Sequence, residues 1–407
     1  MNMYKISICA FFIFITICSC SKEKEKDPWN GLWKVELVLE TDSVKLPFFL
    51  EIVSSDSGYK VAVWNGNEII VHNDVQFSGD SMVLISPYFN SVLRGKRIKN
   101  KIYGAYEDLS RESYSIKFVA KYNISERFGF NGGLTNDVDG IWETWFGSNA
   151  EGYRAIGIFE TDSNSTKGTF LTETGDYRFL DGGFGGNQLK LSTFDGAHAF
   201  LFMADLDGDT LRGRFYSGKH YSDTFKAWRN VDAKLQSPYE LSELVNPNAP
   251  IDFAFKNLTN QVVSLQDEKY KNKPVLVQLM GSWCTNCLDE SVYLSAQYDQ
   301  LQAQGIEVVA LTFEKASFKD AKPVLSKLKH NIEIPYEVLY AGVANKDSAQ
   351  ISIPWLSEIK AYPTLLYLRA DHTVYKIHTG FYGPGTGKYF RVQDVEMKED
   401  FRLLGSM

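Results

Sequence analysis

The sequence has no block of basic residues, few cysteines and no apolar run long enough to cross a bilayer. Its 407 residues include 43 Lys plus Arg against 50 Asp plus Glu, which gives a formal net charge of −7. Without a basic surface, nucleic acid is not an expected partner. Apolar residues are abundant, since 44% of the chain is hydrophobic and 14% is aromatic. That content is ample for real cores, and the length indicates two to three domains.

An apolar run lies at the start of the chain, where Ile6–Ile17 reads ISICAFFIFITI and follows Lys5. The run has 12 residues, whereas a helix that spans a bilayer needs about 20. We therefore interpret the segment as an export signal.

The residues Ile17-Cys18-Ser19-Cys20 resemble the lipobox of bacterial lipoproteins. The resemblance implies that residues 1–19 are a signal peptide and that the mature chain begins at a lipidated Cys20. A plain secretory signal is the alternative, but residues 20–27 form a charged stretch suited to a flexible tether. We expect a protein anchored by lipid in the cell envelope, facing the periplasm or the cell surface.

Two cysteines remain after this processing, because Cys9 and Cys18 leave with the signal and Cys20 is consumed by the lipid. Cys284 and Cys287 are separated by Thr285 and Asn286. A disulfide that closes so short a loop constrains the unfolded chain little, so a purely structural bond does not explain the pair. The pair has to be explained by its chemistry.

The region from Trp29 to about Leu235 is predicted to be all β. Lys60–Trp64 and Glu68–Val71 alternate apolar and polar residues on either side of Asn65-Gly66. This pattern predicts a β-hairpin with a type I′ turn, because Asn and Gly tolerate positive φ values.

The β region contains an internal repeat. Gly31-Leu32-Trp33 recurs as Gly140-Ile141-Trp142, with an offset of 109 residues. The segments 102–106 and 211–215 share the same offset of 109 residues. We therefore expect a duplicated meander that forms a barrel or a sandwich, with one copy over residues 28–123 and the other over 140–236.

A linker with three prolines, residues 237–250, ends the β region. Beyond it, the pattern predicts strands that alternate with helices, and hence an α/β domain with a central sheet over residues 251–407. The predicted helices are Leu288–Gln304, Phe318–Lys329 and a segment near Ser348–Ile359.

Cys284 and Cys287 follow a predicted buried strand and lie where a helix begins, the arrangement of a thioredoxin-like redox motif. The N–H groups and dipole at the N-terminus of a helix stabilise a thiolate and lower the pKa of the first cysteine from about 8.5. Cys284 is therefore the expected nucleophile, and Cys287 is expected to resolve the mixed disulfide that Cys284 forms with a substrate. Trp283 is expected to shelter the pair.

A zinc site and a pair of inert core thiols are the alternatives. A structural zinc site needs about four ligands, and the sequence has neither a second Cys pair beside the motif nor metal-ligand spacing among its six histidines. Inert thiols are not typical of a strand–helix junction that is preceded by an aromatic residue. We therefore expect no metal and no other cofactor.

Val275–Glu290, VLVQLMGSWCTNCLDE, resembles the active-site segment of the TlpA/ResA-type thiol:disulfide oxidoreductases. Residues 361–364 are similar to the proline loop of that family, and residues 378–380 to its strand ending in Thr-Gly. The resemblance covers roughly residues 250–407 and implies a thioredoxin fold tethered outside the cytoplasm. It also implies a cis Pro363 that faces the two sulfurs, with the backbone of Tyr362 offered to an extended substrate. A surface turn is the alternative for Pro363.

The sequence differs from thioredoxin and from this family at several positions near the motif. Gln278 stands where thioredoxin has a buried Asp that accepts protons, and Gln cannot act as that base. Glu314 matches, with a shift of one residue, a family glutamate that can lie near the dithiol; a solvent-facing carboxylate is the alternative. Val292 and the pair Thr285-Asn286 replace prolines, and residues between the cysteines influence the reduction potential.

The sequence is compatible with three functions. The first is an envelope thiol:disulfide oxidoreductase that acts on protein thiols and disulfides, mainly as a reductase, with a membrane or soluble electron donor. The second is a peroxiredoxin-like peroxidase, which is disfavoured because Val277 and Gly281 stand where such enzymes have Pro and Thr. The third is a lipoprotein binding module whose β units carry the function. Residues 174–178 and 195–198 could line a ligand surface there, although turns and core aromatics are the preferred interpretation.

Overall fold

The computed structural model describes residues 27–40, 43–56, 58–130, 133–163 and 165–407. The predicted signal peptide and Cys20, the predicted lipidation site, lie outside the described residues. Two antiparallel β units are followed by an α/β unit, which confirms the predicted fold class. Among the helices that are described, none has the length and apolar character needed to cross a membrane.

The first β unit is an open antiparallel sheet of nine strands. In its strands, buried side chains alternate with more accessible ones, as in β1, where Trp33, Val35 and Leu37 are buried. The strands follow the order β4-β3-β2-β1-β9-β8-β7-β6-β5. Their bounds are β1 (Gly31–Val38), β2 (Lys45–Ser55), β3 (Gly58–Asn65), β4 (Glu68–His72), β5 (Val75–Ser78), β6 (Ser81–Ile85), β7 (Ser91–Ile98), β8 (Lys101–Asp108) and β9 (Ser115–Tyr122).

The second β unit closes into a barrel, because β11 pairs with both β10 and β12, and the remaining strands connect β12 back to β10. Closure removes the sheet edges that an open meander leaves unpaired. The strands are β10 (Gly140–Phe146), β11 (Tyr153–Thr161), β12 (Thr166–Thr172), β13 (Gly175–Asp176), β14 (Leu180–Gly185), β15 (Gln188–Phe194), β16 (Ala199–Asp207), β17 (Thr210–Ser217) and β18 (Tyr221–Arg229).

The sequence repeat corresponds to a structural repeat. Gly31 and Gly140 begin the first strand of each unit with φ values of +137° and +116°, which favour glycine. The indole Nε1 of Trp33 donates to the carbonyl oxygen of Trp29 at 2.8 Å, and that of Trp142 donates to the carbonyl oxygen of Val138 at 2.7 Å. Each tryptophan therefore fixes the chain four residues before it in the same way.

The predicted hairpin of the first unit forms with its turn shifted by one residue. Asn65 pairs with Glu68, so Gly66 and Asn67 are the central turn residues. Gly66 has φ of +57°, and Asn65 remains in the strand instead of taking the predicted turn conformation. The side chain of Asn65 exchanges two hydrogen bonds with the backbone of Phe194, at 2.9 and 3.1 Å, and so joins the two β units.

The α/β unit has a sheet of seven strands in the order β20-β19-β23-β22-β21-β24-β25. The strands β21, β22 and β23 are parallel to one another, β24 runs antiparallel to β21, and β25 runs antiparallel to β24. This is the thioredoxin-like arrangement. The elements are β19 (Ala254–Asn257), β20 (Val262–Ser264), β21 (Val275–Met280), α1 (Thr285–Ala303), β22 (Glu307–Glu314), α2 (Phe318–Asn331), β23 (Glu337–Val343), α3 (Lys346–Ser352), β24 (Thr364–Leu368), β25 (Val374–Thr379), a 3-10 turn (Pro384–Thr386) and α4 (Lys388–Leu404).

The helix predictions need three corrections. α1 begins at Thr285, directly after Cys284, and not at Leu288. The helix predicted near Ser348–Ile359 is limited to α3, which ends at Ser352, two residues before Pro354. The C-terminal helix α4 has no counterpart among the predicted elements, although its buried face includes Met397, Phe401 and Leu404.

Candidate active site

The dithiol lies where β21 gives way to α1. All six residues of β21 are buried, and the chain turns at Gly281-Ser282 before Cys284 takes the N-cap position of α1. The sulfur of Cys284 accepts a hydrogen bond from the backbone N–H of Cys287 at 3.1 Å. The two sulfurs are bonded to each other. Cys284 is 8% exposed and Cys287 is fully buried, so any reagent reaches Cys284 first.

The predicted proline loop faces the dithiol. The Tyr362–Pro363 peptide bond is cis, and the carbonyl oxygen of Tyr362 lies 3.4 Å from the sulfur of Cys284. Trp283 packs edge-to-face on Tyr362, with 5.6 Å between ring centroids. Its indole N–H donates to the carbonyl oxygen of Phe313 at 3.0 Å. The structure thus places Trp283, Tyr362 and Pro363 around Cys284.

Glu314 supports the turn that precedes the dithiol. Its carboxylate accepts hydrogen bonds from the backbone N–H of Ser282 at 2.9 Å and from the Ser282 hydroxyl at 2.6 Å. Glu314 is 3% exposed, so it is not a solvent-facing carboxylate. Burial raises its pKa to about 7, although the two hydrogen bonds from Ser282 oppose this shift. The side chain holds the backbone two residues before Cys284.

A second buried carboxylate, Glu290, was missed from the sequence. It lies three residues after Cys287 in α1 and is fully buried. Gln278 donates to Oε2 of Glu290 at 2.9 Å, while Oε1 is buried without a hydrogen-bond partner. Burial raises the pKa of Glu290 to about 8, and the hydrogen bond from Gln278 opposes the rise. Gln278 thus stands where thioredoxin has a buried Asp, and its side chain contacts the carboxyl group of Glu290.

The sequence does contain a pattern that places Glu290 near the dithiol, because residues i and i+3 of a helix share one face. Cys287 and Glu290 are related in this way, and Cys287 is the buried cysteine. The neighbouring Asp289 is also acidic, however, so the sequence does not distinguish which carboxylate points into the core. The packing of α1 on β21 makes that distinction.

The second β unit covers the dithiol. The hairpin formed by β12 and β13 packs on Asn286, one of the residues between the cysteines. With its amide oriented to satisfy both partners, Asn286 accepts from the N–H of Asp176 at 2.7 Å and donates to the carbonyl oxygen of Asp176 at 3.3 Å. A side chain at Gly175 would collide with Asn286. A cleft of about 440 Å³ remains between Cys284 and this hairpin.

Arg178 holds the second β unit in place over the dithiol. Its buried guanidinium donates to Asp289 of α1 at 2.5 Å and to the backbone carbonyl of Thr285 at 3.2 Å. It also pairs with Glu68 of the first β unit, and it lies 3.8 Å from Asp195. Burial disfavours the charge, but the three carboxylates outweigh burial and raise the pKa of Arg178. One side chain therefore links both β units to the start of α1.

The structure brings together most of the residues that the sequence singled out. Cys284, Cys287, Trp283, Tyr362 and Pro363 meet at one end of the sheet, and Glu314 lies behind the turn. Residues 174–178 and 195–198, for which turns and core aromatics were preferred, also border the cleft above Cys284 in part. Within the described ranges, no cluster of three or more His, Cys, Asp and Glu side chains is arranged to hold a metal ion.

Residues 245–374 match the model of the AhpC/TSA family. The thiol-disulfide oxidoreductase ResA of Bacillus subtilis (strain 168) is 24% identical over 129 residues, which are 32% of this chain and 64% of ResA. ResA of Bacillus thuringiensis subsp. konkukian (strain 97-27) is 24% identical over 110 residues, which are 27% of this chain and 60% of that protein. The chain thus spans less than two thirds of these curated relatives.

Solved structures also match the chain. A DsbF homologue from Corynebacterium diphtheriae has 21% sequence identity and a TM-score of 0.29, and the match covers 41% of this chain and 97% of that chain. A thiol:disulfide interchange protein of the thioredoxin family from Chlorobium tepidum TLS has 15% identity and a TM-score of 0.29, with coverage of 37% and 97%. The C-terminal part of the chain is similar to TlpA/ResA-like thioredoxin-fold oxidoreductases.

The raised pKa of Glu290 predicts that the free energy of unfolding depends on pH. Its ordinary pKa is 4.5 and its folded value is about 8, so the folded state binds more protons between these values. The free energy of unfolding should therefore fall as pH rises through this window, by up to about 1.4 kcal/mol per pH unit from this group. Glu290→Gln should remove that contribution, which guanidinium unfolding across the window would measure.

The matched control is Glu396→Gln, which changes an exposed glutamate on α4. Its unfolding free energy should follow the pH dependence of the unsubstituted chain. If Glu290→Gln and Glu396→Gln gave the same pH profile, the raised pKa of Glu290 would be disproved.

Proposed function

We propose that the chain is a thiol:disulfide oxidoreductase that exchanges the Cys284/Cys287 couple with the disulfides of other molecules. The observation that carries this proposal is the asymmetry of the pair at the N-terminus of α1: one sulfur borders a cleft and the other is buried beside a carboxyl-bearing helical face. The match of residues 245–374 to the AhpC/TSA family and the similarity of the chain to ResA support it.

In the proposed reaction, the thiolate of Cys284 attacks one sulfur of a substrate disulfide. The substrate S–S bond breaks, a mixed disulfide with Cys284 forms, and the first substrate thiolate leaves and takes a proton from solvent. The thiolate of Cys287 then attacks the sulfur of Cys284, which forms the internal disulfide and releases the second substrate thiolate. Two electrons pass from the dithiol to the substrate, and a thiol donor returns them by the reverse steps.

The surrounding residues have distinct proposed roles. The N–H of Cys287 and the N-terminus of α1 stabilise the thiolate of Cys284. Tyr362 and the cis Pro363 bound the site where the substrate sulfur enters, and Trp283 shields it from water. Glu290 and Cys287 are three residues apart on the buried face of α1, and in its ionised form Glu290 takes the proton of Cys287 before the second attack. Glu314 is a positioning residue that acts through Ser282.

A peroxidase function is not favoured. The side chain of Val277 is fully buried in β21, and Gly281 offers no side chain beside the dithiol. Neither position can supply the hydroxyl that would polarise a peroxide. A binding module with an idle dithiol predicts that no exchange occurs, so the exchange experiment below separates it from the proposal.

Replacement of Cys287 should trap the mixed disulfide. In Cys287→Ser, the thiolate of Cys284 still attacks a substrate, but no second sulfur releases it, so a covalent adduct with a test disulfide should accumulate in mass spectra. Cys284→Ser, the matched control, should form little adduct because its remaining thiol is buried. Equal labelling of the two variants would show that Cys284 is not the nucleophile and would contradict the proposal.

We further propose that the chain works mainly as a reductase of protein disulfides, with electrons from a membrane or soluble thiol donor. The reduction potential of the Cys284/Cys287 couple tests this direction, and equilibration with glutathione or dithiothreitol measures it. A potential near the −270 mV or so of thioredoxin is expected, whereas a value near about −120 mV would indicate an oxidant.

We also propose that acyl groups on Cys20 anchor the protein outside the cytoplasm. The proposal rests on the lipobox-like residues 17–20 and on the charged stretch that follows them. When the full chain is produced in a bacterial host, it should partition into a detergent phase, and Cys20→Ala should move it to the aqueous phase. Cys18→Ala, which changes the neighbouring cysteine, should stay with detergent. Detergent partition of Cys20→Ala would refute lipidation at this residue.

A further inference from the structure

A second cavity adjoins the cleft above Cys284. It has a volume of about 690 Å³ and lies where the two β units meet the α/β unit. Five side chains line both spaces, namely Tyr153, Tyr177, His198, Phe200 and Trp283. Both volumes lie in the range of sites for small ligands or single side chains, roughly 300–1,000 Å³. The two spaces therefore share a wall, and a ligand at the dithiol lies next to the cavity.

The cavity has an aromatic wall that the second β unit supplies. Tyr177 packs edge-to-face on Phe200 and on Phe215, with ring centroids 5.2 and 5.1 Å apart. The hydroxyl groups of Tyr153 and Tyr177 are 2.5 Å apart, so the two side chains meet in the wall that the cleft and the cavity share. Tyr153 is 37% exposed and Tyr221 is 45% exposed, so both rings offer surface to a ligand. Such a wall favours an apolar or aromatic group.

The hairpin formed by Thr172–Asp176 restricts what can approach Cys284. Asp176 accepts from the N–H of Gly383 at 2.6 Å, and Tyr382 donates to the carbonyl oxygen of Thr172 at 3.2 Å. A Cβ at Gly380 would lie 2.7 Å from the backbone of Thr174, so the two segments are in direct contact. These contacts fix the hairpin to the α/β unit, so the cleft above Cys284 is bounded by both the hairpin and Tyr362.

We propose that the hairpin and the aromatic cavity select the substrate: an extended peptide whose disulfide-bonded cysteine is followed by a bulky apolar side chain. This inference rests on the proposed thiol–disulfide exchange and names its substrate class. The peptide sulfur meets Cys284 beside Tyr362, and the apolar side chain enters between Tyr153 and Phe200. The bond changes and the transfer of two electrons are those of the exchange reaction above.

The test compares two peptide disulfides that differ at one residue. Each peptide carries a cysteine bonded to the same small thiol, and the residue after the cysteine is Phe in one and Ser in the other. The full chain, with Cys9, Cys18 and Cys20 changed to Ser, is reduced and mixed with each peptide, and acid quenching with mass spectrometry gives the rates. The Phe peptide should react about tenfold faster, the usual scale of apolar discrimination.

Variants of the cavity wall locate the source of this preference. In Tyr153→Ser and in Tyr221→Ser, the rate for the Phe peptide divided by the rate for the Ser peptide should each time move toward one. Two variants are used because one of them alone could misfold locally. The control is Tyr103→Ser on β8, which changes a tyrosine of similar exposure, 44%, that does not line the cavity. Its rate ratio should remain that of the unsubstituted chain. Equal peptide rates, or a preference that survives both wall variants, would overturn the inference.

Two further disulfides distinguish the proposed exchange function from the proposed selectivity for a peptide with an apolar side chain. Hydroxyethyl disulfide has no peptide or apolar side chain, so reaction with it alone would uphold the exchange function and overturn the selectivity. No reaction with any disulfide would overturn the exchange function, and the inference with it. Dibenzyl disulfide tests the source of the apolar group. If it reacted as fast as the Phe peptide, the peptide assignment would be wrong and a low-molecular-weight disulfide would be favoured.

Discussion

The buried ion cluster around Arg178 is the interaction on which the arrangement of the three sheets depends. Its guanidinium belongs to the second β unit and reaches Glu68 of the first β unit and Asp289 of α1. A buried charge without its partners is costly, so these carboxylates and the guanidinium require one another at fixed positions. The same guanidinium binds the carbonyl of Thr285, directly after Cys284. The same side chain therefore holds the redox motif and the β units that cover it in a fixed relative position.

Two carboxyl groups that are buried near the dithiol have electrostatic consequences for it. Glu290 is buried where α1 packs on β21, and Glu314 is buried behind the turn before Cys284, so both hold their protons to higher pH. Burial thus raises the pKa values of Glu290 and Glu314 to about 8 and about 7, close to the range in which a thiol titrates. An acid of this kind can exchange a proton with a buried thiol near neutral pH, which a solvated glutamate cannot do efficiently.

Equivalent hairpins of the two β units have different roles. An offset of 109 residues relates Asn65-Gly66-Asn67 in the first copy to Thr174-Gly175-Asp176 in the second. In the first copy, Asn65 bonds to the backbone of Phe194 and attaches the open sheet to the barrel. In the second copy, the hairpin lies over Asn286 and covers the dithiol. Duplication thus supplied one hairpin for assembly and one for the candidate active site.

The sequence by itself determined the features that depend on short separations: the position of Cys284 at the start of a helix, the strand–helix alternation around it and the repeat of the β units. Hydrophobic periodicity and local motifs encode these features directly. Only the tertiary structure decided that Glu290 is the acid buried below Gln278, and that residues 174–178 cover the cysteines. Contacts such as Arg178 with Asp289 join residues more than a hundred positions apart. They depend on how whole sheets pack, which no local pattern specifies.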